Sequence, residues 1–141
     1  MIGRVAVDKK VAYWIGLSEY DLDTARSMLE SKRFLYVGFM CHQAIEKILK
    51  AFWQFKFSEI PPRTHNLAYL GSQIEILDLF PEAYLDFLDE LEPLNIQSRY
   101  PEYKDFINDR FDQKYADSLY GQTMEMHQWI KQKLLQQLEN I

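Results

Sequence analysis

Hydrophobic positions recur at helical spacing along most of this chain, and no segment alternates convincingly with the period of a strand. The strongest run is residues 34–57, FLYVGFMCHQAIEKILKAFWQFKF, which holds no proline and one glycine, Gly38. Wound at about 100° per residue, it gathers His42, Gln43, Glu46, Lys47, Lys50 and Gln54 into one narrow polar wedge. Val37, Met40, Cys41, Ala44, Ile45, Ile48, Leu49, Ala51, Phe52 and Phe55 fill most of the remainder. A helix apolar over more than half its circumference is touched by neighbours on several sides. At about 1.5 Å per residue it runs roughly 36 Å, enough to span a small domain. The pattern therefore predicts the central helix of a bundle.

The other elements follow in order. Residues 1–9 read as a loose leader. Lys10 to Glu30 is helical, with Val11, Trp14, Ile15, Leu22, Ala25 and Leu29 on one face and Asp21, Asp23 and Arg26 on the other. Ser31-Lys32-Arg33 is too short a break for anything but an antiparallel neighbour. Pro61-Pro62 ends the central helix, and Thr64 or Asn66 caps the next one, Leu67 to about Leu79. Pro81 opens a fourth helix, Glu82 to about Leu91, with Tyr84, Phe87, Leu88 and Leu91 buried and an acidic outer face. Pro93 to Asp112 is irregular. The last helix runs from Gln113 to Asn140, with Ala116, Leu119, Met126, Ile130 and Leu134 along one side. Gly121 inside it reads as a point where another helix comes close. The expectation is an all-α, up-and-down bundle of four to five helices, three long and two short, forming a single domain over residues 1–141.

Composition narrows the class. The chain has 141 residues, 48% of them hydrophobic and 15% aromatic, ample for a packed core. The formal charge of -5 argues against a broad basic surface for nucleic acid but leaves room for a local basic pocket. No apolar run approaches a membrane span, and the N-terminus lacks the shape of a signal peptide. A cytoplasmic protein is expected. The single cysteine, Cys41, excludes a disulfide framework within one chain and fits a core thiol.

Four stretches, taken together, resemble a known family. They are WIGLSEYDLDTARSMLESKRFLYVGF, CHQAIEKILKAFW on the central helix, THNLAYL after the double proline, and QSRYPEY in the irregular connection. Their order and spacing resemble the HEPN domain family over roughly Trp14 to Lys133. The resemblance implies a helical bundle, commonly a homodimer, that binds nucleotide or RNA. It also implies pairing with a minimal nucleotidyltransferase, often as a toxin–antitoxin module whose HEPN member is a metal-independent ribonuclease. Ribonuclease members carry an arginine followed, after four to six residues, by a histidine. None of Arg4, Arg26, Arg33, Arg63, Arg99 and Arg110 has a histidine at that spacing. The chain is similar instead to the branch with an Arg-Tyr-Pro signature, here Arg99-Tyr100-Pro101. No catalytic residue is assigned on this basis, and neither cofactor nor metal is expected.

The candidate binding residues each have a functional and a plainer reading. His42, Glu46 and Lys50 lie one turn apart. They form either a polar line in a cleft, with Lys50 for phosphate, or a solvated stripe. Arg63 and His65 flank a helix start that favours an anion, or His65 merely pins the loop. Arg99 offers a guanidinium suited to phosphate, with Tyr100 and Tyr103 to stack on a base, or it pairs with an acidic helix face. His127 has no ligand partner at useful spacing and reads as a surface or interface residue. Tyr13, Tyr20, Phe39, Trp53 and Tyr120 fall outside the main stripes and suggest a homodimer that buries part of this set. Two other functions compete with nucleotide or RNA binding. One is a ribonuclease with a displaced set, Arg99 with His65 or His42. The other is a structural interaction module that uses the acidic fourth helix.

Overall fold

In the computed structural model, which describes residues 2–97 and 111–139, the chain is an all-α bundle with no strand among the described residues. Its elements are α1 (Ile2–Glu30), α2 (Phe34–Phe57), α3 (Leu67–Gln73), a 3-10 turn (Leu77–Leu79), α4 (Glu82–Leu91), a short α5 (Leu94–Gln97) and α6 (Gln113–Glu139). Helix α2 sits at the centre. It packs along α1, is flanked by α6, and meets α3, α4 and α5 across its remaining side. Ile45, Ile48, Leu49 and Phe52 on α2 are sealed from solvent. Each such side chain stabilises the fold by about 1.5–3 kcal/mol relative to exposure.

The long helices end where their sequences let them. At the end of α1, Lys32 adopts a left-handed φ of 61°. Arg33 N–H then donates to Met28 O at 2.8 Å and Lys32 N–H to Leu29 O at 3.1 Å. This paired return satisfies carbonyls left open at a helix C-terminus and turns the chain into α2. Asp21 and Lys47 form an ion pair that ties α1 to α2. Asp21 is thus buried against the partner helix, not part of an outer polar face.

Several sequence expectations are revised. The backbone of α1 is helical from Ile2, so residues 2–9 extend the helix where a loose leader was expected over residues 1–9. Residues 4–10 hold no glycine or proline, and adding a residue to an existing helix is far easier than nucleating one. The helix expected over Leu67–Leu79 stops at Gln73, because Glu75 takes a left-handed φ of 62°. Ile76 N–H donates to Gly71 O and Glu75 N–H to Ser72 O, both at 3.1 Å, repeating the return seen after α1. Leu77 then folds back onto Gly71, where a Cβ would meet Leu77 Cδ2 at 2.6 Å. The glycine that marks close approach is this one, together with Gly38 under Phe111 and Leu94. Among the described residues Gly121 has no neighbour within 4 Å of a Cβ added there, so it marks no helix contact between them. Trp53 belongs to the core at 7% exposure, beside Phe57 and Tyr69, whereas Tyr13 and Tyr20 are exposed.

Candidate functional site

The polar wedge of α2 is buried. His42, Glu46, Lys50 and Gln54 are 0%, 2%, 7% and 3% exposed, which excludes the solvated stripe. The helix face that carries them lies under the 58–66 loop and α1. Burying a carboxylate is tolerated only with partners for both oxygens. Glu46 has them: Oε2 accepts from Lys50 Nζ at 3.0 Å and Oε1 from His65 Nδ1 at 2.8 Å. His42 Nδ1 stands 3.8 Å from the same Oε1. His42 also donates from Nε2 to the backbone carbonyl of His65 at 3.1 Å. The loop that begins with Pro61-Pro62 is therefore fastened to α2 through both the side chain and the backbone of His65.

His65 is half exposed, its side chain 48% accessible. With Nδ1 committed to Glu46, Nε2 has no hydrogen-bond partner among the described residues. A buried carboxylate orienting an imidazole whose second nitrogen is free is the arrangement of an oriented general base. Arg63 beside it is exposed. The α3 N-terminus next to it is already occupied by oxygens: Asn66 Oδ1 accepts from Tyr69 N–H and Glu92 Oε1 from Ala68 N–H, both at 2.9 Å. Asn66 is thus the cap, and the Glu92 carboxylate fills the position an incoming anion would take.

Lys50 leads out of the cluster. Its ammonium lies 5.9 Å from the centroid of the Trp14 ring, within cation–π range. Trp14 in turn walls a groove of about 330 Å³ with Lys9, Lys10, Tyr13, Gln54 and Ile60. This groove has two lysines, two aromatic rings and no acidic lining residue among those described. Sequence reasoning missed it, since Lys9 fell in the expected leader and Ile60 was given no role. The signal available was the aromatic pair Tyr13-Trp14 following Lys9-Lys10.

Arg99, Tyr100 and Tyr103 lie outside the described residues. Among the described residues no group of three or more His, Cys, Asp and Glu is placed to hold a metal ion. No helix among them is long and apolar enough to cross a membrane. Cys41 is buried in the core, and burial pushes its thiol pKa up to about 12. An inert thiol results.

The family model described as the HEPN domain matches residues 11–134. The chain belongs to the HEPN domain family. Its fold is also similar to the crystal structure of an archaeal HEPN homologue, with a TM-score of 0.65 and 25% identity. That match covers 88% of this chain and 97% of the homologue. A comparison with curated proteins returns no match. In this HEPN domain the cluster of His42, Glu46, Lys50 and His65 joins two of the stretches that carried the resemblance, CHQAIEKILKAFW and THNLAYL.

Outside this cluster the HEPN bundle has a further buried histidine. His127 on α6 is 4% exposed and contacts Ser18 of α1 at 2.9 Å through Nε2. It is an interior residue of one chain, not a surface or interface histidine. Burial, reinforced by Lys131 against the opposing influence of Glu19, pushes its pKa down to about 4, so the ring is neutral near pH 7.

Proposed function

We propose that this HEPN domain is a nucleotide- or RNA-binding subunit that works as a homodimer beside a minimal nucleotidyltransferase partner, in a toxin–antitoxin module. The observation that carries the binding reading is the groove walled by Trp14 and Tyr13 and rimmed by Lys9 and Lys10. Aromatic faces take bases and lysines take phosphates without demanding a particular sequence. A volume of about 330 Å³ falls in the range of small-ligand sites. Lys50, held by Glu46 and facing the Trp14 ring, orients this wall from behind. Arg99 with Tyr100 and Tyr103 supplies further phosphate and base contacts in this reading. The exposed ring of Tyr20, away from the groove, supplies apolar surface for the second copy.

Calorimetry with ATP and with a short single-stranded RNA tests the binding, with Lys10→Glu and Arg99→Ala as controls. Micromolar binding that both substitutions weaken supports the reading. No binding by the wild type, alone or with its partner, overturns it. Sedimentation showing a clean monomer at tens of micromolar would remove the dimer.

One observation favours a second reading, a metal-independent ribonuclease. It is the His65–Glu46 pair, in which a buried carboxylate holds Nδ1 and leaves Nε2 for a proton. His42, fully buried, has no route to a substrate and supports the loop instead. Cleavage of RNA in EDTA that His65→Asn abolishes, while the fold and RNA binding persist, selects this reading over simple binding.

A further inference from the structure

Helices α1 and α6 enclose a second groove, of about 240 Å³, that none of the preceding roles uses. His127 lines it. The protonation pattern of that ring follows from Ser18. The Ser18 hydroxyl lies 2.6 Å from the Ile15 carbonyl oxygen, and two oxygens this close require the hydroxyl hydrogen between them. Having spent its one hydrogen there, Ser18 can only accept from His127 Nε2. Nε2 therefore carries the proton, and in the neutral ring Nδ1 is a bare acceptor. Among the described residues Nδ1 has no hydrogen-bond partner. The same arrangement rules out Ser18 as a nucleophile activated by His127, because its proton points to a carbonyl and not to the imidazole. This nitrogen is not sealed inside the bundle, so a donor entering the groove from outside can reach it.

The rim decides what kind of donor. Lys131 Nζ pairs with Glu19 Oε1 at 3.2 Å, and Arg26 pairs with Asp23 Oδ1 at 2.6 Å. The two cations and two carboxylates cancel, so a phosphate would find no net attraction, in contrast to the Lys9–Lys10 groove. A zwitterion keeps every charge partnered: its ammonium faces Glu19 and its carboxylate faces Arg26. The pairs it disturbs are solvent-exposed and weak. Leu22 and Met124 supply the apolar part of the lining. The volume is below the range for drug-sized ligands, which points to something smaller than a nucleotide.

We propose that the α1–α6 groove binds a free α-amino acid with an apolar side chain. Its ammonium donates to His127 Nδ1, its carboxylate meets Arg26, and its side chain rests on Leu22 and Met124. This site is independent of the nucleotide reading and stands or falls without it.

The test is calorimetry on the full chain with L-leucine and L-methionine, beside leucinol, 4-methylpentanoate and inorganic phosphate. Leucine or methionine is expected to bind, and loss of either ligand charge to weaken binding at least tenfold. Arg26→Gln, at an exposed position that leaves the core intact, is expected to weaken it several-fold. The ¹⁵N signal of His127 Nδ1 is expected to move from that of a bare acceptor to that of a hydrogen-bonded one on saturation. Four results would each overturn the proposal: no binding of either amino acid at millimolar concentration, equal binding of leucinol, phosphate bound in preference, or an unmoved Nδ1 signal.

Discussion

The two interior histidine clusters handle burial in opposite ways. Around Glu46 the bundle keeps a charge and surrounds it: Lys50 and His65 each donate to one oxygen, and His42 stands close by. Between α1 and α6 the bundle keeps no charge, and His127 is neutral, fixed in one tautomer by Ser18. The difference follows from what surrounds each ring. A carboxylate on the same helix turn can be matched by a lysine at i+4 and a histidine from a returning loop. Among the described residues His127 hydrogen-bonds only a serine whose proton is already committed. A paired buried charge is expensive to break, whereas a neutral buried imidazole is sensitive to acid.

The largest expected effect tests the first half of that contrast. Glu46→Ala leaves Lys50 buried without its anion and frees the 58–66 loop. Stability should fall by about 3–5 kcal/mol, measured by urea denaturation. A loss under about 1 kcal/mol would mean that the cluster is solvated after all and the two histidine sites are alike.

The second prediction concerns His127. Its folded pKa of about 4 lies below the ordinary 6.5, so between those values the unfolded chain binds a proton that the folded chain refuses. Stability therefore falls as pH drops from 6.5 towards 4 and levels off below that. At 1.36 kcal/mol per pKa unit the loss is about 3 kcal/mol. Denaturation of the wild type and of His127→Leu across this window checks it. The variant is expected to lose this part of the acid sensitivity, and equal slopes in the two proteins would place the sensitive group elsewhere.

The two grooves can be separated in the same way. Trp14→Ala should weaken nucleotide or RNA binding by about 1–3 kcal/mol, the usual worth of one base on an aromatic face. It should leave the α1–α6 groove untouched, as read from its calorimetric profile with leucine. The smallest effect is at Gly121 on α6, where no described atom lies within 4 Å of an added Cβ. Gly121→Ala should stabilise the fold by about 0.5–1 kcal/mol in thermal unfolding, with both histidine clusters unchanged. Destabilisation would instead mean that something packs there in the assembled protein.

Much of the bundle was legible because helical periodicity is a local property. The apolar excess around α2 announced a central helix, Pro61-Pro62 its end, and Phe87, Leu88 and Leu91 the inner face of α4. The failures have a common cause. Glu75 takes a left-handed conformation that non-glycine residues rarely adopt, so the return after α3 carries no residue-type signal. Gly71 and Gly121 are both helical glycines in sequence, and only the position of Leu77 separates the crowded one from the open one.

For the candidate site, sequence alone determined that His42, Glu46 and Lys50 share one face, because a helix places residues four apart on the same side. It also determined that no arginine stands at the spacing of the family's ribonuclease motif. Tertiary structure decided everything that depends on a second element. It buried that face, brought His65 from 19 residues away onto Glu46, and aligned Lys50 with Trp14 of α1. It likewise set Ser18 against His127 across 109 residues. Whether a polar residue is solvated, paired or left with a bare acceptor is fixed by what packs over it. That depends on contacts between distant segments, which the spacing along one helix does not encode.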